Sequence, residues 1–304
     1  MPAIEVTNLC KRYGDIAAVD DLNLTVEPGE LVALLGHNGA GKTTTVEILE
    51  GHRRRDAGTV SVLGHDPETG GRALRRRIGI VLQDAGLGGA VTVAEALDLY
   101  ASFWVEPRST EELLAAMRLE TKRDARIGTL SGGQRRRLDL ALALVGKPDV
   151  LFLDEPTTGL DPVARREAWQ LVHTLRSEGA AVLLTTHYMD EAEQLADRVV
   201  VMAHGRLVAE GTTTQLADRL GARAVISFRV PDGMEPSALP EVSGEVDVLD
   251  PVVEVRTAQP TQDLRALTGW ALERNTYLVA LSVSRPRLED VYYELAVTAE
   301  NEHG

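Results

Sequence analysis

Residues 31–43 read LVALLGHNGAGKT, and this stretch decides the fold. Its first five residues are apolar, as in a buried strand, and the eight residues from Gly36 match the phosphate-loop pattern G-x-x-x-x-G-K-[ST]. Thr44 to Leu49 then has the pattern of a helix. Strand, glycine loop and helix in this order distinguish a phosphate-binding loop from a chance match. The stretch therefore predicts an α/β fold with a P-loop NTPase core.

The chemistry of such a loop assigns roles to its residues. Gly39 and Gly41 let backbone N–H groups approach phosphate oxygens, and the following helix directs its positive end at them. Lys42 supplies a positive charge to the β- and γ-phosphates, and the Thr43 hydroxyl is placed to bind Mg²⁺. The predicted nucleotide-binding residues are Gly36, His37, Asn38, Gly39, Ala40, Gly41, Lys42, Thr43 and Thr44.

Other strands and helices follow from periodicity. Ile4–Leu9 and Leu22–Val26 alternate apolar and polar residues, which predicts half-buried strands of an antiparallel N-terminal subdomain. Apolar runs at Ile78–Leu82, Val150–Leu153 and Ala181–Thr185 alternate with helical segments, which favours a mostly parallel core sheet. Between these runs, residues 84–130 predict a small helical insert.

The pattern changes near Gly221. The segment Pro231–Pro240 carries three prolines and little periodicity, as loops do. We therefore divide the chain into residues 1–220 and a small C-terminal α/β domain, residues 221–304. The elements predicted in this second domain are strands Val225–Val230, Val252–Arg256 and Tyr277–Val283, and helices Gln262–Glu273 and Leu288–Val297.

Composition bounds the function. A chain of 304 residues is long enough to form two domains. Its net charge of −14 argues against general nucleic-acid binding, because such binding needs a basic surface. Cys10 is the single cysteine, and no signal-peptide pattern opens the sequence, so a reducing cytoplasm is expected. The apolar runs fall far short of the ~20 residues that span a bilayer.

Two carboxylates follow the buried run Val150–Leu153. The strand end is expected to deliver Asp154 to the coordination shell of the metal. Glu155, one residue later, is positioned to polarise a water for attack on the γ-phosphate. Paired acids at a strand end are otherwise solvated or cap helices. The phosphate loop in the same domain favours the catalytic interpretation.

Four further motifs carry a family resemblance. They are LSGGQ at residues 130–134, DEPT at 154–157, GLDP at 159–162 and TTH at 185–187. With the phosphate loop, and in this order, they make the chain resemble the ATP-binding subunits of ABC transporters over residues 4 to about 220. The resemblance implies that the chain binds ATP with Mg²⁺ and hydrolyses it.

The resemblance also implies individual roles. Tyr13 matches the aromatic residue that stacks on adenine, and Gln83 matches the glutamine that touches Mg²⁺ and the attacking water. His187 matches the histidine that contacts the γ-phosphate, and Asp161 matches the residue that communicates across a dimer. Glu155, His187 and Gln83 are thus the implied catalytic residues. The implied Mg²⁺ ligands are Thr43, Gln83 and Asp154, the last through water.

The signature residues imply a dimer. Ser131, Gly132, Gly133 and Gln134 match residues that bind the γ-phosphate of a nucleotide held by the other subunit, so a homodimer would enclose ATP between its chains. The triplet Arg135–Arg137 directly follows and is expected to add positive potential there. His37 departs from the family, which more often has proline or serine at this unspecified loop position.

A narrower resemblance concerns the branch of the family. HYMDEA at 187–192 and PRLEDVY at 286–292 look like the drug exporters that include daunorubicin-resistance ATPases. Such subunits lie on the cytoplasmic face of the membrane and pair with a separate permease.

Three alternatives stay open or are weighed against this function. The transported molecule could instead be a polysaccharide, lipid or peptide. A non-transport ATPase acting on ribosomes, DNA repair or cofactor assembly is disfavoured by the single ATP domain and the acidic charge. Whether the C-terminal domain binds a ligand or only stabilises the protein also stays open.

Overall fold

The central sheet is built around the apolar run that opened the sequence. Leu31–Leu35 forms strand β3, and all five of its residues are buried. The six strands run, from edge to edge, β5 (Ile78–Val81), β6 (Val150–Asp154), β7 (Ala181–Thr186), β3, β8 (Arg198–Ala203) and β9 (Arg206–Gly211). Neighbouring strands are parallel except for the pair β8 and β9. The predicted mostly parallel core sheet is confirmed.

The structure, a computed structural model, describes residues 1–81, 88–177, 179–219, 223–230, 238–249, 251–284 and 288. These residues form two units, Met1–Thr212 and Thr213–Gly304. None of the described helices is both long and apolar enough to cross a bilayer.

A second, antiparallel sheet opens the first unit. It has the order β2 (Ile16–Val26), β1 (Ile4–Tyr13) and β4 (Ala57–Val62). The two predicted strands are longer than expected, because register shifts within the β1–β2 pair interrupt the alternation on which the prediction rested. The alternating apolar side chains, such as Leu22, Leu24 and Val26, join the core of the first unit.

Helices cover the strands and form the insert. The helices of the core are α1 (Lys42–Leu49), α2 (Gly71–Arg75), α5 (Gly132–Leu144), α6 (Pro162–Ser177) and α7 (Met189–Leu195). The insert contains α3 (Val93–Ala101), α4 (Thr110–Ala116) and two 3₁₀ turns, Glu120–Lys122 and Ile127–Thr129. Capping boxes of Thr92 with Glu95 and of Ser109 with Glu112 begin α3 and α4, satisfying N–H groups that a helix start leaves open.

The second unit has one antiparallel sheet and its own core. Its elements are α8 (Thr213–Arg219), β10 (Ala224–Arg229), β11 (Glu245–Leu249), β12 (Val252–Thr257), α9 (Pro260–Glu273) and β13 (Val279–Ser284). The sheet order is β11–β12–β10–β13. Ile226, Phe228, Val253 and Val255 pack with Leu267 of α9.

The second unit differs from the sequence predictions in its first residue, and part of its predicted C-terminal region is not described. The unit begins at Thr213 rather than at 221, because the change in composition that guided us follows α8 instead of preceding it. The predicted helix Leu288–Val297 and the motif at 286–292 lie outside the described residues, apart from Leu288.

Candidate active site

The predicted site residues of the core lie at one edge of the central sheet. Leu35 of β3 pairs with Thr186 of β7, and Thr185 pairs with Asp154 of β6. Because these strands are parallel, their carboxyl ends meet at the same edge, where α/β proteins bind ligands. The phosphate loop, the carboxylates after β6 and His187 after β7 therefore start from neighbouring points.

Two glycines of the phosphate loop adopt backbone angles that other residues avoid. Gly39 has φ +87° and Gly41 has φ +102°. A Cβ atom on Gly41 would lie 2.2 Å from the Ala18 carbonyl oxygen, so only glycine fits. Gly41 is also the N-cap of α1 and offers no side-chain cap to the first turn. The N–H groups that begin α1 are thus left to bind an anion from outside the helix.

The Lys42 ammonium is held inside the loop. Its Nζ donates to the carbonyl oxygens of Gly36 and His37, at 2.7 and 3.0 Å, and the residue is 5% exposed. Burial lowers the pKa of Lys42, while the charges of Glu155 and Asp154 raise it. The structure therefore brings Lys42 within electrostatic reach of both predicted carboxylates.

Thr185 secures the turn after β6. Its hydroxyl donates to Asp154 Oδ1, and the Glu155 backbone N–H donates to the Thr185 carbonyl oxygen at 3.1 Å. Glu155 has φ +45°, in the left-handed region that a residue with a side chain enters at a cost. Such a conformation persists only where surrounding contacts hold it, as Thr185 does here.

The Glu155 carboxylate has two side-chain partners. Its Oε1 lies 3.1 Å from His187 Nδ1, and its Oε2 accepts a hydrogen bond of 3.0 Å from the Thr158 hydroxyl. Burial by itself raises the pKa of Glu155. The hydrogen bonds from His187 and Thr158, with the charges of His187 and Lys42, outweigh burial and hold the pKa below its usual value. Glu155 is therefore an ionised carboxylate at neutral pH.

Arg136, on α5, is a neighbour of Glu155 that the sequence analysis did not single out. Its Nε donates to the Pro156 carbonyl oxygen at 2.6 Å, and its Nη2 donates to that of Asp154 at 3.1 Å. The expectation that Arg135–Arg137 adds positive potential for phosphate stays a prediction, and two of the three guanidinium groups are engaged by protein groups. Arg136 is buried against these carbonyls, and Arg137 pairs with Glu167 at 3.1 Å. No local signal could have separated the three arginines.

The signature residues form the N-terminus of α5. The Ser131 hydroxyl oxygen accepts from Gln134 N at 3.3 Å, and Gln134 Oε1 accepts from Ser131 N at 3.0 Å. Ser131 and Gly132 are exposed, and Gly133 and Gln134 are half-buried. The exposed start of α5 is an anion-binding geometry that faces away from the core of its own unit.

Asp161 and His187 also lie at helix ends. Asp161 Oδ1 accepts from the backbone N–H groups of Val163 and Ala164, at 2.9 and 3.0 Å, and so caps α6. The His187 ring contacts the Tyr188 ring just before α7, with centroids 4.1 Å apart and ring planes inclined by 38°.

The remaining predicted residues have less defined surroundings. Tyr13, at the end of β1, is 41% exposed, and its ring lies under Lys11 and Arg53 at 5.6 and 5.3 Å. Asn38 is exposed and Ala40 buried. His37 Nδ1 lies 2.7 Å from the Asn38 carbonyl oxygen. Gln83 lies outside the described residues.

The donors that could hold Mg²⁺ are oxygen atoms, the kind that this ion prefers. The Thr43 hydroxyl is exposed at the start of α1, next to the half-buried Thr44, and Asp154 carries a carboxylate at the end of β6. Only Oδ1 of Asp154 accepts from Thr185, so the described contacts leave the second oxygen for a water or an ion. This donor set fits Mg²⁺ with a nucleotide.

Comparison with known proteins identifies the family. The profile described as ABC transporter matches residues 19–158, and one described as ABC transporter domain-containing protein-like, C-terminal domain, matches residues 224–286. Over 306 aligned residues the chain is 41% identical to the daunorubicin/doxorubicin resistance ATP-binding protein DrrA of Streptomyces peucetius. The alignment covers 96% of this chain and 92% of that protein. The chain belongs to the ABC transporter ATP-binding proteins.

Two further similarities describe this ABC protein. It is 42% identical to the Nod factor export ATP-binding protein I of Burkholderia orbicola, over 82% of this chain and 86% of that protein. It also resembles a solved dimeric ATP-binding cassette bound to ADP and phosphate, with TM-score 0.62 and 26% identity, over 69% of this chain and 98% of the other. The predicted fold class is confirmed, and the chain is an ATP-binding ATP hydrolase.

Proposed function

We propose that this chain is the energising subunit of an exporter that moves a drug or another hydrophobic natural product through a separate membrane permease. The observation that carries the proposal is the ionised Glu155 carboxylate, held by His187 and Thr158 within electrostatic reach of Lys42. A base beside a buried phosphate-binding lysine is suited to hydrolysing a bound nucleoside triphosphate.

In this proposal the triphosphate binds at the start of α1. The N–H groups of Gly39 to Thr44 and the Lys42 ammonium surround its β- and γ-phosphates, and Tyr13 stacks on the adenine ring. Thr43, Asp154 and Gln83 would hold Mg²⁺, Asp154 through water. When bound, the ion neutralises charge that develops on the phosphate oxygens.

Glu155 acts on water in the hydrolytic step. It accepts a proton as the water oxygen bonds to the γ-phosphorus, and the bond from that phosphorus to the bridging oxygen breaks to release ADP. Inorganic phosphate is the second product. His187 orients the Glu155 carboxylate from one side and reaches toward the γ-phosphate from the other.

The active form that we propose is a homodimer with ATP between its chains. The exposed N-terminus of α5, with Ser131, Gly132, Gly133 and Gln134, contributes to the nucleotide site of the partner, and Asp161 communicates between the two sites. Support comes from the exposure of this helix start and from the dimeric relative. ATP binding then closes the dimer, and hydrolysis opens it.

The helical insert offers the surface that we assign to the permease. Leu99, Phe103 and Val105 are 57%, 63% and 85% exposed, an apolar group that soluble proteins rarely leave uncovered. Tyr100 and Trp104, between them, line a cavity of about 270 Å³ against β5. A permease loop that filled this cavity would place the chain on the cytoplasmic face of the membrane.

The nature of the cargo rests on relatives whose names differ. One is a daunorubicin/doxorubicin resistance protein and the other a Nod factor export protein, at almost equal identity. Alignment length does not separate the two, since a Nod factor export protein of Sinorhizobium fredii at 40% identity also aligns over 96% of this chain. The motifs at 187–192 and 286–292, which resemble those of drug exporters, favour drug export. Export of a polysaccharide, lipid or peptide is the second candidate.

Transport into inverted membrane vesicles tests the function. The chain is coexpressed with candidate six-helix permeases, and daunorubicin fluorescence is followed after ATP addition. ATP-dependent accumulation that Glu155→Gln abolishes is the expected result. Vesicles in which the chain is membrane-bound and hydrolyses ATP, but in which daunorubicin does not accumulate, would favour the second cargo class. A chain that no permease retains on the membrane would contradict the transport role.

A further inference from the structure

The Arg136 guanidinium spans the catalytic turn. Its Nε and Nη2 donate to the carbonyl oxygens of Pro156 and Asp154, which are the residues on either side of Glu155. Arg136 itself is 8% exposed, so these hydrogen bonds form away from solvent. A charged donor bonded to a buried carbonyl is stronger than a neutral one, and its loss leaves that carbonyl unpaired.

The turn needs such support. Glu155 has φ +45°, a conformation that a non-glycine residue keeps only when its surroundings enforce it. The Glu155 N–H is fixed by Thr185 of β7. The carbonyls on both sides of Glu155 are fixed by Arg136 of α5, so the backbone at this point is held from two separate elements.

We propose that Arg136 is a positioning residue that sets the direction of the Glu155 side chain and thereby the rate of ATP hydrolysis. This inference rests on the proposed role of Glu155 as the base. It predicts that loss of the bridge lowers kcat without weakening ATP binding, because the phosphate loop is untouched.

The position of Arg136 adds a mechanical consequence. Arg136 lies on α5, five residues after the N-cap Ser131. The nucleotide of the partner chain is proposed to bind at the N-terminus of this helix. A shift of α5 caused by that binding would move the guanidinium and with it the two carbonyls.

Matched lysine substitutions test the proposal in the full chain. Lysine in place of Arg136 can reach only one carbonyl at a time, because its ammonium is a point donor rather than a planar fork. Arg176→Lys is the control, since Arg176 lies on α6 and pairs with Asp197. We expect Arg136→Lys to lower kcat about 10- to 100-fold, with KM for ATP within about twofold, as misplaced catalytic groups do. Arg176→Lys should match the wild type.

A double substitution separates positioning from general damage. If Arg136 acts through Glu155, Arg136→Lys should cause no further loss of single-turnover rate in a Glu155→Gln chain. The positioning role is overturned if Arg136→Lys lowers the single-turnover rate equally in the wild-type and Glu155→Gln chains. It is also overturned if Arg136→Lys weakens ATP binding in parallel with kcat, or if its kcat equals that of the wild type.

The failure of the two proposals is distinguishable. Wild-type turnover by Glu155→Gln alone refutes the proposed base. An inactive Glu155→Gln beside a fully active Arg136→Lys refutes only the role of Arg136.

Discussion

His187 Nδ1 lies 3.1 Å from Glu155 Oε1, so the residue after β7 contacts the residue after β6. The contact lowers the pKa of Glu155 against the burial that raises it. It also assigns the two ring nitrogens: because Nδ1 donates to the Glu155 carboxylate, Nε2 is the nitrogen left to contact a phosphate.

Glu155→Gln should abolish hydrolysis and spare ATP binding. The amide keeps the shape of the side chain but cannot accept the proton of the attacking water, so we expect kcat to fall at least about 100-fold. The variant should accumulate as a dimer with ATP, measured by size-exclusion chromatography. Glu120→Gln, at an exposed position, is the control. Turnover at the wild-type rate would remove Glu155 from the mechanism.

Thr158→Val should move the acidic limb of the pH profile of kcat. The Thr158 hydroxyl donates to Glu155 Oε2 at 3.0 Å and lowers the pKa of that carboxylate. Without it the pKa rises, so the base is protonated, and activity lost, at a higher pH. The limb should shift upward by up to about one unit, since a hydrogen bond to a charged group contributes about 1.5 kcal/mol at the low end of its range and one pKa unit corresponds to about 1.4 kcal/mol. A shift to lower pH would contradict the assigned contact.

Lys42→Ala should weaken ATP binding about 10- to 100-fold, because it removes a charged donor to the phosphates. Titration with a fluorescent ATP analogue measures this change, with Lys122→Ala as the control on a 3₁₀ turn of the insert. Lys42 also bonds two loop carbonyls, so the melting temperature must be compared. Unchanged affinity would mean that Lys42 only supports the loop.

Mixing Lys42→Ala and Ser131→Arg chains should restore ATPase activity. Each homodimer has two defective sites, whereas a heterodimer joins an intact phosphate loop from one chain to an intact α5 N-terminus from the other. Activity of the mixture should rise well above the average of the separate variants. If crosslinking shows heterodimers and activity does not recover, Ser131 does not act on the partner's nucleotide.

Glu50→Gln should stabilise the protein increasingly as the pH rises from 5 to 8. Burial raises the pKa of Glu50 from 4.5 to about 8, with the charges of Asp154 and Glu47 adding to the effect. Below pH 4.5 the carboxyl is neutral whether the chain is folded or unfolded, so its contribution is fully present there. As the pH rises toward 8, the unfolded chain ionises first, and stability is lost at up to about 1.4 kcal/mol per pH unit.

Melting temperatures in EDTA and without nucleotide measure this effect. His52 Nδ1 lies 3.1 Å from Glu50 Oε2, so the comparison of wild type and Glu50→Gln is repeated on a His52→Gln background. Equal pH dependence of the wild type and Glu50→Gln would show that Glu50 is already ionised in the folded protein.

Much of the core could be predicted from local pattern. β3, β6 and β7 are uninterrupted apolar runs because both faces of a parallel sheet are covered, and such runs stand out in a sequence. The first and last residues of β1 and β2 were harder to predict, because irregular pairing interrupts the alternation of apolar and polar residues. α8 falls in the second unit although the change in composition follows it, because a short helix carries no local mark of the unit to which it belongs.

The sequence by itself determined the phosphate loop, the carboxylates Asp154 and Glu155, and the family, because each depends on residues adjacent in the chain that shape one turn or one helix start. Only the tertiary structure decided what surrounds Glu155. Thr185 and Arg136 come from β7 and α5, so their contacts exist only once the strands have aligned and the helix has packed. Three consecutive arginines look alike in a sequence, and packing alone placed one of them against the carbonyl oxygens of the residues on either side of Glu155.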